Sequence, residues 1–213
     1  MNILCFGDSN THGYNPSNGG RFDKDTRWTG ILQKLLGNED YVIEEGLSGR
    51  TTVFNDPIHE GLNGFNYIYP CLMTHEPVDL LIIMLGTNDT KERFGANANV
   101  ISLGLKRLIE KAKNTKVAFR NNKPNILIVA PLPMREEVLS LECGLTMGVD
   151  CVKKSKEIIP LFEKIAQEQE CYFFDPSKYA MCSDDDYMHL DEKAHSILAH
   201  KLYEFITEIK KEI

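Results

Sequence analysis

The sequence predicts an α/β protein: a three-layer α/β/α sandwich built on an open, doubly wound, mainly parallel sheet of five strands. Three observations lead there. Short apolar or β-branched runs alternate along the chain with longer segments of helical period. Three of those runs are nearly continuously apolar, as strands covered on both faces by helices must be. Finally, 213 residues with 42% hydrophobic content suit one domain with a sizeable core.

The expected strands are "NILCF" (2–6), "YVIEE" (41–45), "DLLIIML" (79–85), "NILIVA" (125–130) and "CYFF" (171–174). Between the first two, "TRWTGILQKLLG" carries apolar residues at 28, 31, 32, 35 and 36 and ends at Gly37, which fits an amphipathic helix with a glycine past its end. Helical patterns also cover about 97–116, 150–169 and 191–212, the last with Asp191 placed to cap it and Glu192 near the positive end of its dipole. In such a sheet, sites form in loops beyond the carboxyl ends of strands. The loops to inspect are therefore 7–20, 46–66, 86–96 and 131–148. The second and fourth are long and rich in Gly, Asn and Pro, as binding loops often are. No internal repeat, low-complexity tract or linker divides the chain.

The net charge of −7 is scattered rather than gathered in a block, and no basic patch marks a nucleic-acid footprint. No apolar run approaches the roughly 20 residues that span a bilayer, and no basic, then apolar, leader precedes "NILCF". The expectation is a cytoplasmic protein that binds neither nucleic acid nor membrane. Six cysteines, at 5, 71, 143, 151, 171 and 182, form no CxxC and fall partly in apolar runs, so they read as reduced structural thiols. His12, His59, His75, His195 and His200 lack ligand spacing with cysteines or carboxylates, and neither a metal nor any other cofactor is expected.

Four strand-end features combine small, polar and glycine residues: "GDSN", "GLSGRTT", "GTND" and "DDDYMHLD". Ser9, after a strand and before a helical segment, would present its hydroxyl where nearby backbone N–H groups stabilise negative charge. That position suits a nucleophile whose carbonyl target becomes an oxyanion, although a serine in such a turn, taken alone, is far more often a turn or cap residue. Asp186 and His189 are three apart, so one turn brings the carboxylate to one imidazole nitrogen while the other faces outward. Solvated acids before a helix are the alternative. Gly49 offers an unobstructed backbone N–H and Asn88 a side-chain amide for an oxyanion; an N-cap and a turn glycine are their plain structural alternatives. Asp8 and Asp89 are expected to tie down their loops by accepting from backbone N–H groups.

These four blocks, spread in order from residue 3 to residue 195, resemble the SGNH hydrolases, or GDSL-type esterases. That family is named for a Ser, Gly, Asn and His in separate blocks. "FGDSN" supplies Ser9, "EEGLSGRTT" supplies Gly49, "GTND" supplies Asn88, and "DYMH" supplies Asp186 and His189. Further wording, "RWTG", "NDP", "LNG" and "DLLIIMLGTNDTK", is similar to the arylesterase and acyltransferase branch, which acts on small acyl esters such as acetates. The resemblance implies the flavodoxin-like SGNH fold and a triad of Ser9, His189 and Asp186. It also implies an oxyanion hole made by the N–H groups of Ser9 and Gly49 with the amide of Asn88. An acyl-enzyme would be released to water, or to another alcohol where water is excluded. The chain departs from the family at Asn10, usually leucine, and at His12 and Tyr14, where the branch often has tryptophan. Substrate preference is expected to be set at those three residues, with Thr87, Lys91 and Met188 lining the pocket by adjacency.

Two enzyme readings keep the triad and change the substrate: a carbohydrate acetyl-esterase, or a thioesterase or lysophospholipase of the same superfamily. A non-catalytic α/β ligand-binding module is the third reading, and the absence of GxGxxG and GxxxxGK[ST] loops counts against it. A GxSxG elbow is also missing. The 131–148 loop, "PLPMREEVLSLECGLTMG", mixes apolar and charged residues as a contact between subunits of a homo-oligomer would.

Overall fold

The structure, a computed structural model, describes residues 1–213. Five strands form its sheet: β1 (Asn2–Gly7), β2 (Tyr41–Gly46), β3 (Leu80–Met84), β4 (Ile126–Val129) and β5 (Tyr172–Phe174). They pair in the order β2-β1-β3-β4-β5, and every pair is parallel. The order reverses direction between β1 and β3, with Gly7 opposite Met84 at their carboxyl ends. Loops leaving those two strands diverge to opposite sides and open the crevice in which such sheets bind ligands.

Alternate strand residues point to opposite layers. Leu4, Phe6, Leu81, Ile83, Ile126 and Ile128 face one cluster, closed by α3 (Gly64–Thr74), α4 (Ala98–Asn114) and α6 (Cys151–Glu168). Ile3, Cys5, Leu80, Ile82, Met84, Leu127 and Val129 face the other, closed by α2 (Trp28–Leu36) and α7 (Glu192–Ile209). Residues 80–83 of β3 are fully buried, and each large apolar side chain enclosed this way contributes about 1.5–3 kcal/mol. The continuous apolar run thus reports a central strand with a helix layer on each face.

The helix ends are fixed by named groups. Asp191 accepts from the Ala194 N–H at 2.7 Å and caps α7, as its position in the sequence leads one to expect. Asn97 caps α4 through the Val100 N–H at 3.0 Å. Arg27 precedes α2 without a side-chain cap, and the first N–H of that helix, on Trp28, donates instead to Nδ1 of His195 at 3.2 Å. His195 is fully buried on α7, and burial holds its pKa down at about 3, so the ring stays neutral and able to accept.

Two helices lie where the sequence reads as loop. The C-terminal part of the 46–66 stretch already belongs to α3, and the 131–148 stretch contains a 3-10 turn (Glu136–Ser140) and α5 (Glu142–Met147). Pro70 sits inside α3, where it removes one backbone donor. Burial of Ile68, Cys71 and Leu72 against the sheet outweighs that loss. All six cysteines are free.

Candidate active site

Ser9 stands at the first position of the short helix α1 (Ser9–His12), directly beyond β1. The turn from strand to helix is tight enough to require glycine before it. A Cβ on Gly7 would lie 2.0 Å from Thr11 Oγ1 and 2.9 Å from the Met84 carbonyl oxygen. Asp8 caps α1, its carboxylate accepting from the Asn10 N–H at 3.0 Å. Burial raises the Asp8 pKa to about 6, against the opposing pull of that N–H and of His189, Arg50 and Lys91.

From the far end of the sequence, the 183–189 turn brings His189 over this helix. Its Nε2 lies 2.9 Å from Ser9 Oγ and its Nδ1 2.5 Å from Asp186 Oδ2. The other Asp186 oxygen accepts from the backbone N–H groups of Met188 and His189, at 3.1 and 2.9 Å. Burial alone would raise the Asp186 pKa; the His189 hydrogen bond and charge, with those N–H groups, hold it below the ordinary carboxylate value. An ionised carboxylate only accepts, so it keeps the imidazole proton on Nδ1 and leaves Nε2 to accept from the serine hydroxyl. Tyr187, between the two residues, takes a left-handed φ of 60°, which tightens the turn enough for Asp186 to reach round to His189. The Ser183 N–H donates to the His189 carbonyl at 2.8 Å and closes the turn.

Gly49 and Asn88 arrive from the loops after β2 and β3. Gly49 has φ 88°, a conformation that disfavours any side chain, and its segment is held by Arg50. The Arg50 guanidinium donates to the carbonyls of Gly7 (2.9 Å) and Glu45, and lies 4.2 Å over the Phe6 ring. Asn88 gives one amide hydrogen to the Arg50 carbonyl at 3.2 Å, so its second amide hydrogen remains for a ligand. Asp89 accepts from the Thr52 N–H at 2.9 Å and from the Thr52 hydroxyl, tying the β3 loop to the β2 loop. Burial raises its pKa to about 6 as well, against the Thr52 hydrogen bonds.

Ser9, Gly49, Asn88 and His189 line one cavity of about 430 Å³. Tyr14, Thr87, Lys91 and Met188, expected from sequence to line it, do so; the Tyr14 ring lies 4.4 Å from that of His189. Asn10 and His12 do not, and for them the sequence expectation is corrected. Successive residues of α1 are rotated about 100° apart, which turns Asn10 away from the face of Ser9; His12, three residues on, shares that face but lies at the end of α1, against the end of β2. Asn10 is buried, and its Oδ1 accepts from the Leu190 N–H at 3.0 Å. The chain packs against Gly46 at His12, where a Cβ on the glycine would come 2.1 Å from the His12 nitrogen. Burial and the nearby Arg21 and Arg27 lower the His12 pKa. The left-handed Gly13 (φ 84°) ends α1 and brings Tyr14 back over the site.

Sequence reasoning missed Ser48, His59, Leu62, Thr146 and Met147, which also line the cavity. Ser48 adjoins Gly49, a signal available in the sequence; the others come from long loops and α5, where no local pattern points at Ser9. Away from the cavity, ligand atoms of Glu45, Cys71 and His75 lie within 4.8 Å of one another. Arg50 already interacts with both Cys71 and Glu45, so a cation there would meet an existing positive charge.

The GDSL-like Lipase/Acylhydrolase family model matches residues 5–197. No curated protein matches the chain. Among solved structures, the native aryl esterase of M. smegmatis is 35% identical, with a TM-score of 0.90 over 98% of this chain and 99% of that one. Est24, a carbohydrate acetylesterase from Sinorhizobium meliloti, is 33% identical, with a TM-score of 0.87 over 98% and 99%. A member of the lipolytic protein G-D-S-L family from Veillonella parvula, at 20% identity and a TM-score of 0.68 over 97% and 98%, shares the fold. With that family matched from residue 5 to residue 197 and the fold shared end to end with two esterases, the chain belongs to the GDSL-like lipase/acylhydrolase family, the SGNH hydrolases, and is by that membership a carboxylic ester hydrolase.

Proposed function

We propose that the protein hydrolyses small acyl esters of the acetyl type by two-step acyl transfer, with Ser9 as nucleophile, His189 as general base and acid, and Asp186 as the orienting carboxylate. The observation that carries this is the unbroken chain from Ser9 Oγ to His189 Nε2 (2.9 Å) and from His189 Nδ1 to Asp186 (2.5 Å), opening on a cavity. The similarity to an aryl esterase and a carbohydrate acetylesterase supports a small acyl group.

In the first step Ser9 Oγ attacks the ester carbonyl as its proton passes to His189 Nε2, and Asp186 stabilises the imidazolium. The carbonyl oxygen gains the negative charge. Donors for it are the N–H of Ser9 at the start of α1, the N–H of Gly49, and the amide hydrogen that Asn88 does not give to Arg50. His189 then protonates the leaving alkoxide, and an acyl-Ser9 remains. The cavity opens to solvent, so water is the acceptor in the second step: His189 takes its proton, the acid leaves, and Ser9 recovers its hydrogen.

The test is turnover of 4-nitrophenyl acetate by the protein and by Ser9→Ala. Loss of the nucleophile is expected to lower kcat by roughly 10³-fold or more. Full activity in Ser9→Ala protein would refute the assignment.

A further inference from the structure

A second cavity, of about 380 Å³, adjoins the one that holds Ser9, and the two share His59 and Leu62 in their walls. We infer that this second chamber receives the alcohol portion of the ester, and that the alcohol it fits is a compact, polyhydroxylated one. The inference rests on the esterase reading above.

Continuity comes first. Any ester held at Ser9 carries an acyl part on one side of the carbonyl and an alcohol on the other. The chamber beyond His59 and Leu62 offers further lined space beside the cavity that holds Ser9. Its wall is then built in two layers. Asn63 is committed to structure, its amide donating to the Val53 carbonyl at 2.7 Å and to Asn55 Oδ1 at 2.8 Å. The Asp56 carboxylate is fully enclosed and paired with Arg93 at 2.8 Å. These contacts fix the loop and leave His59, Glu60 and Asn66 exposed to the chamber.

The exposed groups match a polyol. A carboxylate accepts, an amide donates and accepts, and an imidazole does either, whereas each hydroxyl of a polyol offers one donor and two acceptor positions. Tyr67 adds an aromatic ring that is 40% exposed and held in place by stacking on Phe6 at 6.3 Å, with the Arg50 guanidinium 5.3 Å away. A ring already fixed costs little entropy when the C–H face of a ligand lies on it. The same groups select against other alcohols. A plain alkyl chain would desolvate Glu60 and Asn66 without replacing their hydrogen bonds with water. An anionic alcohol would face Glu60, while Arg93 is already bound to Asp56.

The experiment compares kcat/KM for a monoacetylated pentose or hexose with that for the acetate of a plain alkyl alcohol of equal heavy-atom count. Wild-type protein is measured beside Glu60→Ala and Asn66→Ala, both exposed positions whose replacement leaves the core untouched. The expected result is a preference for the polyol acetate in the wild type, and a fall of tenfold or more in the polyol-to-alkyl ratio in each variant. A ratio that stays at its wild-type value, or a wild type that prefers the alkyl acetate, overturns the inference. Ser9→Ala protein is run with both esters: if it retains turnover, the esterase assignment itself fails, an outcome distinct from any change in the ratio.

Discussion

Replacing Asn10 by alanine separates a tether from a substrate contact. Asn10 Oδ1 accepts from the Leu190 N–H at 3.0 Å and joins residues 180 apart, on the helix that holds Ser9 and in the segment that holds His189. Leu190 is 1% exposed, so in Asn10→Ala protein its N–H loses a partner that water cannot replace. A buried donor left unsatisfied costs about 1–3 kcal/mol, and the missing side-chain volume adds to it, so a destabilisation of about 2–3 kcal/mol is expected. Urea unfolding with an unchanged m-value would read that loss as a lower midpoint. Leu190 follows His189 directly, so slack of the order of 1 Å between imidazole and serine should lower kcat roughly 10²-fold. Relative rates on acetate, butyrate and hexanoate esters should not move, because Asn10 is not in the cavity wall. Changed chain-length preference with stability within about 0.5 kcal/mol of wild type would refute the reasoning and restore Asn10 as a substrate contact.

Asp8→Asn should gain stability over wild type as pH rises. With a folded pKa of about 6 against an ordinary 3.8, Asp8 in the folded protein holds a proton that the unfolded chain has released between those values. Its favourable contribution is complete below about pH 4 and gone above about pH 6, a swing of about 3 kcal/mol, while asparagine stays neutral and still accepts from Asn10. Unfolding midpoints at pH 4, 6 and 8 should therefore diverge in favour of the variant, and a constant difference would contradict the burial argument. Gly46→Ala would place its Cβ 2.1 Å from the His12 nitrogen and 2.5 Å from the Thr11 carbonyl carbon, both backbone atoms; a loss of about 3 kcal/mol is expected by thermal unfolding. Asp186→Asn should leave the fold intact and KM for 4-nitrophenyl acetate nearly unchanged while lowering kcat by roughly 10³–10⁴-fold, since an amide no longer keeps the proton on Nδ1. A drop of less than tenfold would remove Asp186 from the mechanism.

The strands and the helices α2, α4, α6 and α7 were legible because each is decided by its own residues. Residues 80–83 are apolar at every position as both faces of β3 are covered, and the 3.6-residue pattern of α2 survives an isolated reading. Helix α3 was hidden by Gly64, Asn66 and Pro70, whose local preferences favour turns and are overruled by packing of Ile68 and Leu72. The candidate site divides along the same line. Ser9, Gly49, Asn88, Asp186 and His189 could be picked out because each stands in a short block at a strand or helix end. Asn10 was misassigned because neighbours in sequence are not neighbours on a helical face, and His12 because the chain there packs against Gly46, whereas Tyr14 returns to the cavity only through the left-handed Gly13. His59, Thr146 and the second chamber depend on how long loops fold back, and no local pattern encodes that.

A serine-reactive organophosphate asks of the protein itself whether Ser9 is the nucleophile. Ser9 has 5% exposure, but its hydroxyl lines the cavity beside His189, so reagent that enters should react there. The protein is titrated with the reagent, residual 4-nitrophenyl acetate turnover is followed, and the labelled peptide is identified by mass spectrometry. One label per chain is expected, on Ser9, with activity falling in proportion to it. Activity that persists once Ser9 is fully labelled, or inactivation with the label on another residue, would contradict the assignment of Ser9 as nucleophile.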